Sequence, residues 1–200
     1  TPSHVDDNIA ALVSRLRHVL ARDYIQGGRG GYVFRTGGGC RVDIDDAENL
    51  VADARHYLGR GDHAAAATAA AAALVILDRG DLLEEEPYAD WAAPARVASR
   101  RLHRNAREVA WTAALGRGDN ARALALAEAA VATDGLDEEA HRVRMLALYH
   151  AGEASRALVA YEELRALVSD ELGADPSLET QALHKRILRG EVESPGSPGT

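Results

Sequence analysis

Three short stretches of this 200-residue sequence combine residue types whose spacing could support chemistry. "GGRGG" (Gly27–Gly31) surrounds an arginine with glycines, as a phosphate-binding loop does. "DIDDAEN" (Asp43–Asn49) spaces carboxylates as a calcium-binding loop does. "EEAH" (Glu138–His141) contains one Glu-x-x-His pair, the unit from which di-iron sites are built.

None of these three patterns is complete. "GGRGG" lacks the Lys-Ser/Thr pair and the following helix of a P-loop. The acidic stretch lacks the glycine and the twelfth-position glutamate of an EF-hand, so we expect it to cap a helix. A di-iron site needs a second Glu-x-x-His and further carboxylates. The lone Cys40 supports no Cys-His set, so we predict no catalytic residue, no metal and no cofactor.

The charge is unevenly distributed along the chain. The net charge is −8, which is unusual for a protein that binds nucleic acid. Residues 1–36, however, hold five arginines against three aspartates, a net charge of +2, so residues 37–200 carry −10. A weakly basic head therefore precedes a strongly acidic body.

The composition indicates closely packed helices. Hydrophobic residues make up 46% of the chain but aromatic residues only 4%, so alanine and leucine must fill the interior. The longest apolar run, Ala64–Leu77, is too short to cross a bilayer, and we expect a buried helix and no membrane contact. A single cysteine and the lack of a secretory signal at the start are typical of a cytoplasmic protein.

The head combines an amphipathic helix with a hairpin. Two short strands, Tyr24–Gln26 and Tyr32–Arg35, are predicted around the glycine-rich turn. In the preceding helix, apolar residues recur at steps of three and four and share one face. These residues are Val5, Ile9, Val13, Leu16 and Leu20.

The opposite face of this helix carries residue types that read DNA. In a major groove, Asn and Arg can contact base edges and Ser can contact phosphate, and an arginine at a hairpin tip can enter a minor groove. Periodicity alone favours an ordinary amphipathic surface helix, and this alternative stays open; only the segments that follow favour a DNA-reading helix. The candidate DNA-binding residues are Asn8, Ala11, Ser14, Arg15, His18 and Arg29.

The body contains an internal repeat. "GDNARALALAEAA" from Gly118 and "GEASRALVAYEEL" from Gly152 start 34 residues apart, and "GDHAAAATAAAAAL" from Gly61 is a third copy. A period of 34 with glycine in the turn between helices and small residues at fixed offsets is the tetratricopeptide signature. Because each helix pair has an apolar face that it cannot bury alone, the pairs are expected to stack.

Other helices separate and close these repeats. An acidic loop (Asp78–Pro87) and a long helix to about Gly116 separate the first two copies. Trp91 and Trp111 are predicted as core anchors of this long helix, and an interface role stays open for both. A closing helix is predicted with Asp175 as its N-cap. Its inward-facing residues are expected to be Leu178, Leu183, Ile187 and Leu188.

Several of these stretches resemble a known family. "NIAALVSRLRHVL…YIQGGRGGYVF" resembles the recognition helix and wing of response-regulator-type winged-helix domains. "VDIDDAENLVADAR", "RGDLLEEEPYADWA", "ALYHAGEASRALVAYEELRALVSDELGADP" and "LHKRIL" are similar to the bacterial transcriptional activator domain of the Streptomyces antibiotic regulatory protein family. The resemblance runs from about Asn8 to Leu188. The sheet and two helices that precede the recognition helix in the family are not in this sequence. Either the chain is cut inside the winged helix, which we expect, or another segment replaces the missing half.

The resemblance implies a mainly α fold: a tetratricopeptide-like array of helical hairpins preceded by a short helix and β-hairpin, which form a partial winged helix. The expected domains are residues 1–36 (partial winged helix), 37–190 (activator domain) and 191–200 (flexible tail or linker). The implied function is that of a transcriptional activator module. Its partners would be DNA, bound only by the complete winged helix, and RNA polymerase, another protein or a second copy, bound through the repeats. The candidate partner-binding residues are Trp91, Arg104 and Tyr149.

Two other classes of function compete with this one. A tetratricopeptide adaptor with no DNA role would bind peptides in a groove lined by the first helix of each pair. These segments are Glu48–Tyr57, Trp91–Trp111 and Glu139–Tyr149. A ligand sensor with a small-molecule pocket has no residue-level support in the sequence.

Overall fold

The structure, a computed structural model, describes residues 3–20, 23–28, 30–36 and 40–192, with residues 3–6 described by backbone alone. The chain divides into two compact units, Thr1–Asp46 and Ala47–Thr200. The predicted mainly α fold is confirmed. The elements in chain order are α1 (Ser3–Val19), β1 (Ile25–Gly28), β2 (Gly31–Phe34), α2 (Asp43–Gly59), α3 (His63–Leu77), a 3-10 turn (Asp90–Ala92), α4 (Ala93–Gly116), α5 (Asn120–Thr133), α6 (Glu138–His150), α7 (Ala154–Leu172) and α8 (Leu178–Arg189).

The hairpin of the first unit is antiparallel, with Ile25 opposite Phe34 and Gly28 opposite Gly31. Its strands lie one or two residues from the predicted boundaries. Gly27 has a φ of +111°, and a Cβ at this position would lie 2.2 Å from the carbonyl oxygen of Gly31. No residue with a side chain fits so close to the partner strand, so this glycine is a requirement of the strand pairing.

The three copies of the repeat have the same turn. Gly61, Gly118 and Gly152 adopt φ angles of +74°, +70° and +82°, which are left-handed values that glycine adopts without strain. Each turn leads into the second helix of a pair, and the alanine five residues after each glycine is fully buried. These alanines are Ala66, Ala123 and Ala157. The predicted register of the repeat is therefore confirmed.

In the second unit, each helix from α3 to α7 packs on the next one in the chain, and α8 contacts both α6 and α7. One core cluster surrounds Trp111, which is 2% exposed, so its predicted core position is confirmed. The prediction that Trp91 is a core anchor is wrong, since this side chain is 75% exposed. Trp91 lies in the 3-10 turn before α4, where Ala92 takes the buried position instead.

The closing helix α8 starts later than predicted. Its N-cap is Ser177, whose hydroxyl accepts the Thr180 N–H, and the predicted N-cap at Asp175 is wrong. Leu183 and Ile187 are buried as expected. The prediction that Leu178 and Leu188 also face inward is wrong: both are exposed, because the helical turn of about 100° per residue carries them off the face that Leu183 and Ile187 share.

Candidate functional site

The outer face of α1 presents the residues predicted to contact DNA. Asn8, Ala11, Ser14, Arg15 and His18 are all exposed, on a side of the helix away from the buried Val13. Helical spacing brings Asn8, Arg15 and His18 onto one face, with Ser14 at its edge beside the hairpin. The face can therefore offer amide, guanidinium, imidazole and hydroxyl groups to one ligand.

Arg17 joins α1 to the hairpin. Its Nε donates a hydrogen bond to the carbonyl oxygen of Ile25 at 2.9 Å, and its Nη2 donates to that of Gly27 at 3.1 Å. Its Cζ lies 5.7 Å from the ring centre of Tyr32, within the range of a cation–π contact. Ser14 and Arg17 also line a shallow cleft between the helix and β1.

Sequence reasoning did not single out Arg17. The available signal was a basic residue in the last turn of a helix that leads into a glycine-rich hairpin, where exposed carbonyl groups need donors. The predicted wing-tip contact, Arg29, lies outside the described residues, and so does Arg22.

The apolar side of α1 is only partly covered. Val13 is 8% exposed, whereas Ile9, Leu16 and Leu20 are 43%, 47% and 39% exposed. Phe34 of the hairpin, stacked on Tyr24 with ring centres 6.2 Å apart, is also exposed. The side chain of Val5, the remaining member of the predicted stripe, is outside the described part of the structure.

The three predicted partner-binding residues do not form one site. Trp91 is exposed in the turn before α4, and Arg104 is exposed about three turns further along α4. Tyr149 is half-buried in the last turn of α6, with its ring 6.0 Å from that of His150. Trp91 and Arg104 therefore share one helical segment, and Tyr149 belongs to another.

A groove of about 480 Å³ lies between α4, α6 and α8. On its charged rim, Arg142 pairs with Glu179 (Nη2 to Oε2, 3.5 Å), and burial and the nearby Glu108 raise the pKa of Glu139. Two of the three segments predicted to line a peptide groove contribute to it, those from α4 and α6. Its apolar floor is formed by Trp111, Leu115, Val143, Leu146 and Leu183.

The histidine of the Glu-x-x-His pair belongs to the core. His141 is 3% exposed, its Nε2 lies 3.0 Å from the carbonyl oxygen of Gly135, and burial lowers its pKa. Among the residues that the structure describes, no cluster of three or more His, Cys, Asp or Glu side chains could hold a metal ion. In the same ranges, no helix is both long and apolar enough to span a bilayer.

Comparison with known proteins supplies the family. The model of the bacterial transcriptional activator domain matches residues 42–188. The regulatory protein AfsR of Streptomyces griseus is 34% identical over 194 residues, which cover 96% of this chain and 19% of AfsR. The AfsR of Streptomyces coelicolor is 31% identical over 190 residues, which cover 95% and 19%. The chain thus spans about a fifth of the length of these curated relatives.

A solved structure has the same fold. Mycobacterium tuberculosis EmbR, in complex with a low-affinity phosphopeptide, is 25% identical with a TM-score of 0.83. The match covers 96% of this chain and 52% of EmbR. It therefore extends over both the helical repeats and the helix and hairpin that precede them.

Proposed function

Because this chain belongs to the bacterial transcriptional activator domain family, a family of transcription regulators and not of enzymes, we propose that it is the activator module of a DNA-binding regulator. Residues 1–36 form the second half of a winged helix, residues 37–190 the activator domain, and residues 191–200 a flexible tail or linker. A protein of this function acts in the cytoplasm, where bacterial DNA is transcribed.

The exposed outer face of α1 is the observation that carries the DNA-binding part of the proposal. Arg15 is exposed and has no hydrogen bond or ion pair within the described ranges, whereas Arg17 is occupied by the hairpin. Arg15 is thus available for a base edge or a phosphate. The hairpin packed on α1 corresponds to the wing that follows the recognition helix in a winged-helix domain. The half-exposed apolar side of α1 is where the first half of the winged helix packs in the full-length protein.

Substitutions in the full-length protein test this assignment. Arg15→Ala is expected to cost roughly 1–3 kcal/mol of binding free energy and to relax sequence specificity, because a base contact is lost. Arg29→Ala is expected to weaken binding to all sequences similarly and to lower the salt dependence, as loss of a phosphate contact does. Fluorescence anisotropy with promoter and random duplexes measures both effects.

The control is Arg60→Ala, which removes an exposed arginine after α2 with no side-chain partner in the described part of the chain. It should bind DNA as the parent does. Equal affinities for the parent and the Arg15→Ala variant would contradict the proposed role of α1. The 200-residue chain alone, with half a winged helix and a net charge of −8, should give no sequence-specific shift at nanomolar concentration.

The helical repeats are proposed to contact RNA polymerase or another protein. Support comes from Trp91, because tryptophan is enriched among residues that dominate interface energies and this one is largely exposed. Trp91→Ala in the full-length protein should reduce transcription in vitro and leave promoter affinity unchanged. Full transcription by this variant would exclude Trp91 from the contact, and Arg104 and Tyr149 can be tested in the same way.

The groove between α4, α6 and α8 favours a second candidate function, a peptide-binding adaptor without a DNA role. An apolar floor with a charged rim is suited to an extended peptide. DNA binding by the full-length protein distinguishes the two functions. A regulator should bind its promoter more tightly than random DNA, whereas an adaptor should bind both equally weakly.

A further inference from the structure

A second cavity of about 480 Å³ lies between α3, α4 and α5. Its apolar part is formed by the buried Leu74, Leu77 and Trp111 together with Leu126. This volume is in the range of small-molecule sites, which are mostly apolar with a few polar groups that orient the ligand. The apolar part provides room for the body of a small organic molecule.

Two arginines on α4 provide the polar part of this cavity. Arg100 and Arg104 are four residues apart, so they lie one above the other on the same helical face. Neither has a hydrogen bond or an ion pair within the described ranges; the charge of Arg104 acts on Glu139, which does not line the cavity, without forming an ion pair. The neighbouring arginines differ: Arg96 donates to the carbonyl oxygens of the loop before α4, and Arg107 contacts His103.

Most carboxylates around the cavity already have partners in the protein. Asp78 contacts His103 at 2.7 Å (Oδ1 to Nε2), Asp134 accepts the Leu136 N–H at 3.0 Å, and Asp137 caps α6 by accepting the Ala140 N–H at 3.1 Å. The fourth, Asp81, makes no side-chain hydrogen bond or ion pair in this part of the structure, and its charge acts on the nearby His103. None of the four neutralises Arg100 or Arg104 by an ion pair.

The charges around the cavity limit the charge of a ligand. Two unpaired guanidinium groups attract an anion and can hold both oxygens of a carboxylate. The four aspartates and the carboxyl-terminal ends of α3 and α5, which carry partial negative charge, oppose a second negative charge. A monoanion is therefore favoured over a phosphate dianion.

We propose that this cavity binds a small monocarboxylate with an apolar body. The carboxylate lies between Arg100 and Arg104, and the apolar body contacts Leu74, Leu77 and Leu126. Binding bridges the helices of two successive pairs, so the repeat array responds to a ligand. This inference does not depend on DNA binding by the full-length protein.

The test uses 4-phenylbutyrate as the probe, titrated into the 200-residue chain and followed by heteronuclear NMR. Signals from α3, α4 and α5 should shift. Affinity should exceed that of acetate, which lacks the apolar body, and of 4-phenylbutanol and phenyl phosphate, which lack the single negative charge. The double variant R100Q/R104Q should lose affinity about tenfold or more, as the loss of charge-assisted hydrogen bonds implies.

The matched control is Arg101→Gln, which removes a charge from an exposed position of α4 that does not line the cavity. It should bind the probe as the parent does. Ala129→Leu adds volume at the edge of the cavity and should block binding of the probe although both arginines are present. Circular dichroism first verifies that this variant is folded. The proposal is overturned if no probe binds at millimolar concentration, if R100Q/R104Q binds like the parent, or if the shifts map to α6 and α8.

Discussion

Arg15 and Arg17 lie two residues apart on α1 and have different surroundings. Arg17 is half-buried, with two carbonyl oxygens and the ring of Tyr32 around its guanidinium group, and Arg15 is exposed with no partner within the described ranges. Each of the two arginines contributes one positive charge, so the net charge does not distinguish them. Their environments assign one to the structure of the hairpin and leave the other available for a ligand.

At the scale of single residues, we predict that Arg17→Ala loosens the hairpin. Two hydrogen bonds and a cation–π contact are lost, so the free energy of local opening should fall by roughly 1–3 kcal/mol. Hydrogen exchange of the Arg35 amide measures this free energy of opening, because that amide donates to the carbonyl oxygen of Tyr24 at 2.7 Å. Arg17→Lys should restore little, because one ammonium group cannot reproduce the fork of a guanidinium. Arg15→Ala serves as the control, and unchanged exchange in Arg17→Ala would refute the role.

At the scale of the elements, alanine sets how closely the helices approach. Ala123 and Ala157 are fully buried at equivalent positions of two repeats, each at the start of the second helix of a pair. Extra atoms there have no free space, since packed interiors contain few voids. Each copy of the repeat is therefore defined by a small buried residue in the second helix as well as by the glycine turn before it.

Replacing either of these alanines by leucine should destabilise the chain by roughly 1–3 kcal/mol through overpacking. Urea unfolding measures the change. Ala125→Leu is the control, because Ala125 is exposed on α5 and leucine is a good helix former. If both buried substitutions left the unfolding curve unchanged, the tight contacts assigned to the repeat would be absent.

The closing helix α8 is attached through a polar network. Glu138, the first residue of α6, accepts the Ser177 N–H at 3.0 and 2.9 Å, and the Thr180 hydroxyl donates to its Oε2 at 2.6 Å. Thr180 is fully buried and also accepts a hydrogen bond from Arg142 at 3.2 Å. Burial raises the pKa of Glu138, but the hydrogen bonds from Ser177 and Thr180 outweigh this effect and lower it below its ordinary value of 4.5.

This network should make the attachment of α8 depend on pH. Because the pKa of Glu138 is lower in the folded chain than in the unfolded one, its contribution is complete above pH 4.5 and is lost as the pH falls below that value. Glu138→Gln should therefore lower the melting temperature at pH 7, and the difference from the parent should shrink in acid. The exposed Glu128 of α5 provides the control, Glu128→Gln. A difference that stays constant with pH would contradict the assignment.

At the scale of the whole molecule, the half-exposed side of α1 predicts self-association. Burying a large apolar side chain completely contributes about 1.5–3 kcal/mol, so a chain with several of them exposed gains by pairing with a second copy. We expect the 200-residue chain to sediment as a dimer, and Ile9→Ser with Leu16→Ser to yield monomers. Val13 is unsuitable for this test because it is already buried and its loss would unfold the head. A monomeric parent chain would refute the prediction.

The helical repeats could be predicted from the sequence because their signals are local and periodic. The glycines at Gly61, Gly118 and Gly152, the alanines that follow them and the core position of Trp111 depend on neighbours a few residues away or one repeat away. Backbone preference and helical period determine such features whatever the rest of the chain does. The family resemblance shares the stretch around Gly152 and otherwise rests on segments outside the repeat copies.

Only the tertiary structure decided which side chains have partners. The exposure of Trp91, the contacts of Arg17 and the cavity beside Arg100 depend on residues from other elements. The cap of α8 at Ser177 depends on Glu138, which lies 39 residues earlier in the chain. Hydrogen bonds and burial act over a few ångströms in space, and residue type and period do not specify which distant residues come that close.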